Sequence, residues 1–272
     1  MIWSSHRKFE VLDIRNQAGS PEHFFHFFFG ILVPLITHMA TSHGRTFYFV
    51  RSCGPMNRIL HELNLDNLAI VDKASMPRLE RYFRKTTLSG FDNPAHYDLD
   101  VFLRARRLLL DRFGMTNSTS NNISAPSGIV MVDRGNSDPY YNSSLAEIKT
   151  SGKQRRSIPN FRELTDAIRR LNSATKAVRL EMMPLERQAR LFSNAKISVM
   201  QHGAAIANVF WMKSGSTLIE INPLPDWANF STLCQTFGVQ HEIVPQEAIH
   251  GPVNIEAVVA AVQRAIQRGE ST

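Results

Sequence analysis

The second half of the chain alternates between short apolar segments and amphipathic helical patterns. Each apolar segment is rich in β-branched residues and is short enough to be a strand rather than a buried helix. The predicted strands are 128–134, 176–180, 196–200, 216–221 and 239–244. Helices are predicted from near Asn160 and at 184–193, 203–212, 227–237 and 254–268. Strands separated by crossover helices predict a parallel, doubly wound α/β sheet, which binds ligands at the carboxyl ends of its strands.

The first half is a less regular version of the same pattern. Its predicted strands are 9–14, 46–50 and 68–72, and its predicted helices are 21–40, 55–63 and 98–113. Between the halves, the segment 117–127 (NSTSNNISAPS) is rich in Ser and Asn and has no hydrophobic periodicity, which is typical of a linker. We therefore predict an α/β fold with two Rossmann-like, doubly wound domains, at 1–116 and 128–272, joined by that linker.

The charge balance limits the function classes. The 272 residues include 31 Lys+Arg against 24 Asp+Glu, a formal net charge of +7 at pH 7. Such an excess is typical of a nucleic-acid surface, a membrane surface or a pocket for an anionic substrate. Among the densest clusters are Arg104, Arg106, Arg107 and Arg112, and then Lys149, Lys153, Arg155 and Arg156. No aromatic residues lie between these basic residues to stack bases, which argues against a nucleic-acid surface. A basic nucleic-acid-binding α/β protein is therefore only the alternative hypothesis.

Cysteine and hydropathy patterns bear on the compartment. Cys53 and Cys234 lie far apart without a CxxC partner, which excludes a zinc knuckle and a disulfide scaffold and is typical of a reducing compartment. No signal-peptide pattern opens the chain. The apolar stretch 24–39 contains His26 and Pro34 and is shorter than the roughly 20 residues that cross a bilayer, so it predicts a buried helix. We expect no membrane span and a cytoplasmic location.

The junction KISVMQHGAAIANVFW (196–211) carries the most chemical information. The predicted strand runs into His202, and Gly203 leads directly into a helix whose first residues, Ala204 and Ala205, are small. Small residues allow a ligand to approach the first helical turn, where N–H groups and the helix dipole favour an anion such as a diphosphate.

Two polar residues downstream are expected to reach the same ligand. Asn208 lies within the first two turns of the predicted helix. The next strand places Glu220 near its carboxyl end, where a carboxylate can accept hydrogen bonds from ribose hydroxyls. Together with His202, these residues predict a donor-binding crevice.

The junction resembles the carboxyl-terminal motif of glycosyltransferase family 61. Members typically show a strand, His-Gly-Ala-Gly/Ala, a small-residue helix with an Asn, a Pro/Ser-Gly turn and a strand that ends in Glu. The matching positions here are His202, Gly203, Ala204, Ala205, Asn208, Ser214-Gly215 and Glu220. A second family block resembles VDRGNS and RRSIPNFREL, and it falls on Arg134, Arg155, Arg156, Asn160, Glu163 and Leu164. The resemblance spans residues 128–223, and the stretch 23–36 is similar to an early family helix, with His26 and Pro34 at its His and Pro positions.

This resemblance implies a GT-B architecture, in which an acceptor-side amino-terminal domain and a nucleotide-sugar-binding carboxyl-terminal domain face a cleft. It implies an inverting, metal-independent transfer of a sugar from a UDP-sugar to an oligosaccharide or glycoprotein glycan. Xylose is the first choice of sugar, and N-acetylglucosamine is another. No cofactor besides the donor substrate is expected. Because eukaryotic secretory members carry a membrane anchor and none is predicted here, the resemblance favours a microbial or viral enzyme.

Without a metal, the charge that develops on the UDP leaving group must be met by N–H groups and basic side chains. We expect Arg134 with Arg155 or Arg156 to hold the diphosphate, beside the amides of Gly203 and Ala204.

Inversion also needs a base that takes the proton of the acceptor hydroxyl. Asp72 ends the predicted strand LAIVD and is the first candidate. His26, in the first turns of the helix that follows the first strand, is the second.

Two further hypotheses stay open. Asp98-Leu99-Asp100 spells the DxD motif with which metal-dependent transferases hold Mn²⁺ through the donor phosphates, although acidic residues also favour the first turn of a helix. The other hypothesis is a transferase-like scaffold that binds UDP without catalysing transfer.

Overall fold

The computed structural model describes residues 8–42, 46–116, 128–224 and 229–270. The chain divides into two compact units. The first comprises Met1–Thr116 and Ser144–Ile148, and the second comprises Asn117–Ser143 and Lys149–Thr272. The segment Ser144–Ile148 thus belongs to the first unit, although the sequence analysis places it in the carboxyl-terminal domain. The predicted linker 117–127 lies outside the described residues.

The first unit is built on a parallel sheet. Its strands are β1 (Lys8–Arg15), β2 (Thr46–Arg51), β3 (Leu68–Val71) and β4 (Arg84–Ser89). In the described residues they pair in the order β3-β2-β1-β4, and all neighbours are parallel. In the described part of this unit, the helices other than two short 3-10 turns are Phe24–Thr41, Asn57–Glu62, Met76–Leu79 and Leu99–Arg112. The sequence analysis missed β4, because this edge strand reads RKTTLS and its side chains are mostly exposed.

The second unit contains the doubly wound sheet that the alternating pattern predicts. Its strands are β5 (Gly128–Asp133), β6 (Lys176–Arg179), β7 (Ala195–Gln201), β8 (Thr217–Asn222) and β9 (Gln240–Pro245). Within the described ranges their order is β6-β5-β7-β8-β9, again with parallel neighbours. The longer helices are Phe161–Leu171, Leu185–Ser193, Ala204–Trp211, Asn229–Thr236 and Ile255–Glu270. The central strands β5, β7 and β8 are almost fully buried, which explains their continuous apolar sequences.

The helix Phe24–Thr41 contains a π-helical turn. Val33 N–H donates to the carbonyl of Phe28, five residues back rather than four. The carbonyl of Phe29, which would accept the Val33 bond in a regular α-helix, accepts from Phe91 N–H at 2.9 Å. The π turn therefore ties this helix to the segment that follows β4.

Two glycines let the same helix approach the end of β4 closely. A Cβ on Gly90 would lie 2.8 Å from the Cα and carbonyl oxygen of Gly30, and a Cβ on Gly30 would lie 2.6 Å from Asn16 Nδ2. Side chains at either glycine would overlap their neighbours. This close approach brings His26, in the first turn of the helix, to Asp92, two residues after Gly90.

The helix Phe24–Thr41 is also long and apolar enough to cross a membrane, with a mean hydropathy of 1.6. In the structure 61% of it is buried, as is expected of the core helix of a globular domain. Length and composition alone are weak evidence for a membrane span or a signal sequence. Its burial agrees with the buried helix that the sequence predicts.

We expect Gly90→Ala to lower the free energy of unfolding by about 1–3 kcal/mol, because the added methyl group meets backbone atoms of Gly30 that cannot move aside. Gly128→Ala is the matched control, since its Cβ would meet nothing closer than 3.9 Å. Urea denaturation measures both. Equal stability of the two variants would contradict the proposed helix contact.

Candidate active site

The turn after β7 packs against an arginine more closely than a residue with a Cβ would allow. Gly203 has a φ of +147°, and a Cβ built on it would lie 2.2 Å from Arg134 Nη2. Arg134 directly follows β5, which pairs with β7, so the parallel register brings the two strand ends together. The backbone conformation therefore favours a glycine at this position, and a side chain here would also displace the Arg134 guanidinium.

Two arginines donate to one backbone carbonyl at this turn. Arg134 Nη2 donates to the carbonyl of His202 at 2.6 Å, and its Nε donates to Gln201 Oε1 at 2.8 Å. Arg156 Nη1 donates to the same carbonyl at 3.2 Å. Gln201 is held in turn, because its amide donates to the carbonyl of Ser157 at 3.1 Å. The fold thus brings together two arginines that the sequence analysis selected from separate segments.

The arginine pair holds like charges side by side. Burial, and then the charges of Arg156 and Arg155, lower the pKa of Arg134 to about 10. Burial also lowers the pKa of Arg156 and that of the half-buried Arg155. The nearby Glu181 carboxylate accepts from Gly135 N–H at 2.5 Å, and its charge partly offsets the lowering of the pKa of Arg134. Partly desolvated guanidinium groups of this kind are stabilised by an anion, so the turn is suited to bind one.

Behind the turn, a buried carboxylate joins two histidines. Glu220 is fully buried; its Oε1 lies 2.5 Å from His202 Nδ1 and its Oε2 lies 2.8 Å from His241 Nε2. Ser231 Oγ lies 3.0 Å from His241 Nδ1. Burial raises the pKa of Glu220, but the hydrogen bonds from His202 and His241 outweigh it and hold the pKa below its usual value. A negative charge is therefore fixed directly behind the arginine turn.

The structure changes the role expected of Glu220. The sequence predicts that its carboxylate accepts hydrogen bonds from ribose, but both oxygens are bonded to histidines and no part of the residue is exposed. Glu220 instead holds the side chain of His202. Sequence reasoning missed His241. Its side chain lies on the same face of the sheet as that of Glu220, but this can be recognised only when β8 and β9 are known to be neighbours.

The helix after the turn also differs from the expectation. Ala204–Trp211 is a 3-10 helix, and Asn208 within it is fully buried. The Asn208 amide donates to the carbonyl of Ala205 at 3.0 Å, so it supports the helix rather than reaching a ligand as predicted. Gly203 and the half-buried Ala204 do lie at the start of the helix, beside the arginine pair.

In the first unit, His26 and Asp92 form a hydrogen-bonded pair beyond the carboxyl ends of β1 and β4. His26 Nδ1 lies 2.9 Å from Asp92 Oδ2, and the Asp92 side chain is fully buried. Asp92 also accepts from the N–H groups of Gln17 at 2.8 Å and Ala18 at 3.1 Å. The His26 side chain is 24% exposed and packs on Gly19, where a Cβ would lie 2.2 Å from Nε2. Because the carboxylate already accepts from two N–H groups, we assign the proton to Nδ1, which leaves Nε2 with the lone pair of a base.

Asp72, the first candidate base, takes part in a turn instead. It is exposed, and it accepts from Ser75 Oγ at 2.7 Å and from Ser75 N–H at 2.9 Å. These bonds, the side-chain one foremost, lower the pKa of Asp72 below its usual value. A carboxylate with a lowered pKa is a weaker base, so the geometry reverses the order of the two candidates and favours His26.

The DxD sequence lies at the start of a helix. Asp98 Oδ1 accepts from Val101 N–H at 3.1 Å and caps the helix Leu99–Arg112, and Asp100 lies in its first turn. Both positions favour acidic residues for structural reasons. Among the residues that the structure describes, no group of three or more His, Cys, Asp or Glu is placed to hold a metal ion.

Comparison with known families agrees with the sequence resemblance. The family model described as Glycosyltransferase 61 matches residues 24–219, more than two thirds of the chain. The match includes the positions of His26, Asp92, Arg134, Arg156 and the His202 turn. No curated protein matches the chain.

We expect Glu220→Gln to lower the free energy of unfolding by about 3–5 kcal/mol at pH 7, because it removes the buried charge that accepts from two histidines. The pKa of Glu220 is lowered in the folded state, so its contribution is complete above the usual carboxyl pKa of about 4.3 and is lost as the pH falls below it. The difference between wild type and variant in urea denaturation should therefore shrink towards pH 3. A difference that does not depend on pH would contradict a charged Glu220.

Proposed function

The chain belongs to glycosyltransferase family 61 and is by that membership a glycosyltransferase, and on this premise we propose that it moves a sugar from a UDP-sugar to a glycan hydroxyl. Xylose is the sugar proposed first, and the acceptor proposed is an oligosaccharide or a glycoprotein glycan. The observation that carries the proposal is the arginine pair of the second unit, where Arg134 and Arg156 converge on the carbonyl before Gly203.

In this proposal the arginine pair binds the donor diphosphate. The guanidinium groups of Arg134 and Arg156 offer fixed N–H donors, and Arg155 adds a third positive charge beside them. The amides of Gly203 and Ala204 complete the set at the start of the helix. Preorganised donors of this kind stabilise the charge that develops on departing UDP, so we propose that transfer needs no metal ion.

We propose that His26 Nε2 is the base. As the acceptor oxygen forms its bond to the anomeric carbon, the acceptor proton passes to Nε2. The bond between that carbon and the diphosphate breaks, and UDP leaves with the electron pair. Attack on the side opposite the leaving group inverts the anomeric configuration. Asp92 keeps the imidazole in the required tautomer through its bond to Nδ1 and stabilises the imidazolium that forms.

The arrangement of the units and the location of the protein also belong to this proposal. Each of the two units contains a sheet of parallel strands, and this supports the proposal of a GT-B architecture with donor and acceptor sides, as the family resemblance implies. The cytoplasmic location stays a prediction, because the helix Phe24–Thr41 also meets the length and composition of a signal sequence.

We expect Arg134→Gln and Arg156→Gln each to weaken UDP binding by about 10–100-fold, because each removes a proposed charge-assisted hydrogen bond to the diphosphate worth about 1.5–3 kcal/mol. Arg162→Gln is the matched control, since Arg162 is exposed on the helix Phe161–Leu171. Isothermal titration calorimetry at constant ionic strength measures all three. Equal losses in the control would mean that net charge alone, rather than this turn, attracts UDP.

We expect His26→Ala to lower kcat by about 10²–10⁴-fold, because the acceptor proton loses its base, while UDP affinity is unchanged. The assay is UDP release from the donor that the wild type turns over. Asp72→Asn should keep near-normal activity, since that side chain is bonded within its own turn. The reverse pattern, with Asp72→Asn inactive and His26→Ala active, would overturn the assignment of the base.

A further inference from the structure

His241 lies behind the arginine turn and has no role in the mechanism above. It is on β9, beyond the residues that the family model matches, and its side chain is 9% exposed. Its Nε2 lies 2.8 Å from Glu220 Oε2 and its Nδ1 lies 3.0 Å from Ser231 Oγ. Both ring nitrogens are therefore bonded, and the ring is fixed between two elements of the second unit.

The carboxylate fixes the direction of the hydrogen bonds in this network. Because a charged carboxylate can only accept, His241 donates to Glu220 through Nε2, and a neutral His241 then accepts from the Ser231 hydroxyl at Nδ1. His202 donates to the other oxygen of the same carboxylate through Nδ1. The network therefore places a donor on each oxygen of the Glu220 carboxylate.

The charge of the Glu220 carboxylate lies close enough to act on Arg156. The field of the Glu220 carboxylate favours the charged form of Arg156, against the effect of burial. Glu220 also holds the side chain of His202, whose carbonyl accepts from Arg134 and Arg156. The carboxylate therefore supports the arginine turn in two ways, by its charge and by its bond to His202.

From this chain of contacts we propose that His241 is a positioning residue for the donor diphosphate: it donates to Glu220, and Glu220 in turn holds the side chain of His202, whose carbonyl accepts from the arginine pair, and lies beside Arg156. The inference rests on the proposed function, since it assumes that the arginine turn binds UDP. It adds that UDP affinity at low pH depends on a residue that does not touch the ligand.

Removing the His241 donor should make UDP binding depend on pH. With one bond lost, burial raises the pKa of Glu220, and the carboxylate takes up a proton as the pH falls. The ionisable groups that act on Glu220 from the elements around it are His202, His241, Arg156 and Cys234. Of these, only the histidines have ordinary pKa values near the pH range of the experiment, and His202 is common to all variants.

Two substitutions separate the bonds of His241. In His241→Gln the amide can take the place of Nε2 and still donate to Glu220, whereas in His241→Asn the shorter amide takes the place of Nδ1 and keeps only the bond to Ser231. His241→Phe keeps the ring volume without any donor and serves if the Asn variant does not fold. Circular dichroism and urea denaturation establish the folded state of each before binding is measured.

The experiment is calorimetric titration of UDP from pH 7.5 to pH 5.5, with each variant compared with wild type at the same pH so that the titration of UDP itself cancels. We expect His241→Asn and His241→Phe to bind about tenfold more weakly at pH 7, the low end of what outer-shell substitutions cost at metal sites, with a larger loss at pH 5.5. His241→Gln should follow the wild type.

Each outcome has a separate meaning. If the wild type binds UDP and the Asn and Phe variants match it at every pH, the positioning role of His241 is overturned and the donor site stands. Equal, pH-independent losses in all three variants would also overturn it, since they would show a packing effect only. If the wild type itself does not bind UDP, the proposed function fails and this inference fails with it.

Discussion

The carbonyl of His202 is the point on which the proposed donor site depends. It accepts from both Arg134 and Arg156, and it can do so because Gly203 leaves room for the Arg134 guanidinium against the backbone. Two partly buried like charges repel each other, and this repulsion lowers the stability of the folded protein. Stability alone therefore does not explain why the two arginines lie side by side. An anion relieves that repulsion, so the contacts that shape this turn in the free protein also prepare it for a diphosphate.

The two units use a similar device for different ends. In each, a glycine permits a close approach and a buried carboxylate fixes an imidazole, Asp92 with His26 in one unit and Glu220 with His202 in the other. His26 is partly exposed, which suits proton transfer, whereas His202 is buried and suits the support of a backbone turn. Burial therefore separates a candidate base from a structural histidine of the same chemistry.

Much of the fold could be predicted from the sequence, because the central strands of the second unit are buried on both faces and stand out as apolar runs. The edge strand β4 lacks that signal. Residue type at a strand end was sufficient to select Arg134, and the basic loop together with the family resemblance selected Arg155 or Arg156. Residue type was not sufficient to predict the roles of Glu220 and Asn208, because the burial of these side chains depends on neighbouring elements. His241 is recognised only when β8 and β9 are known to be adjacent.

The central claim is that arginines, rather than a metal ion, hold the donor diphosphate. Calorimetric titration of UDP in excess EDTA tests it most directly, with the wild type beside a double Arg134→Gln, Arg156→Gln variant. We predict that EDTA leaves the affinity of the wild type for UDP unchanged and that the double variant does not bind UDP measurably. Loss of wild-type binding in EDTA with recovery on addition of Mn²⁺, or wild-type affinity in the double variant, would contradict it.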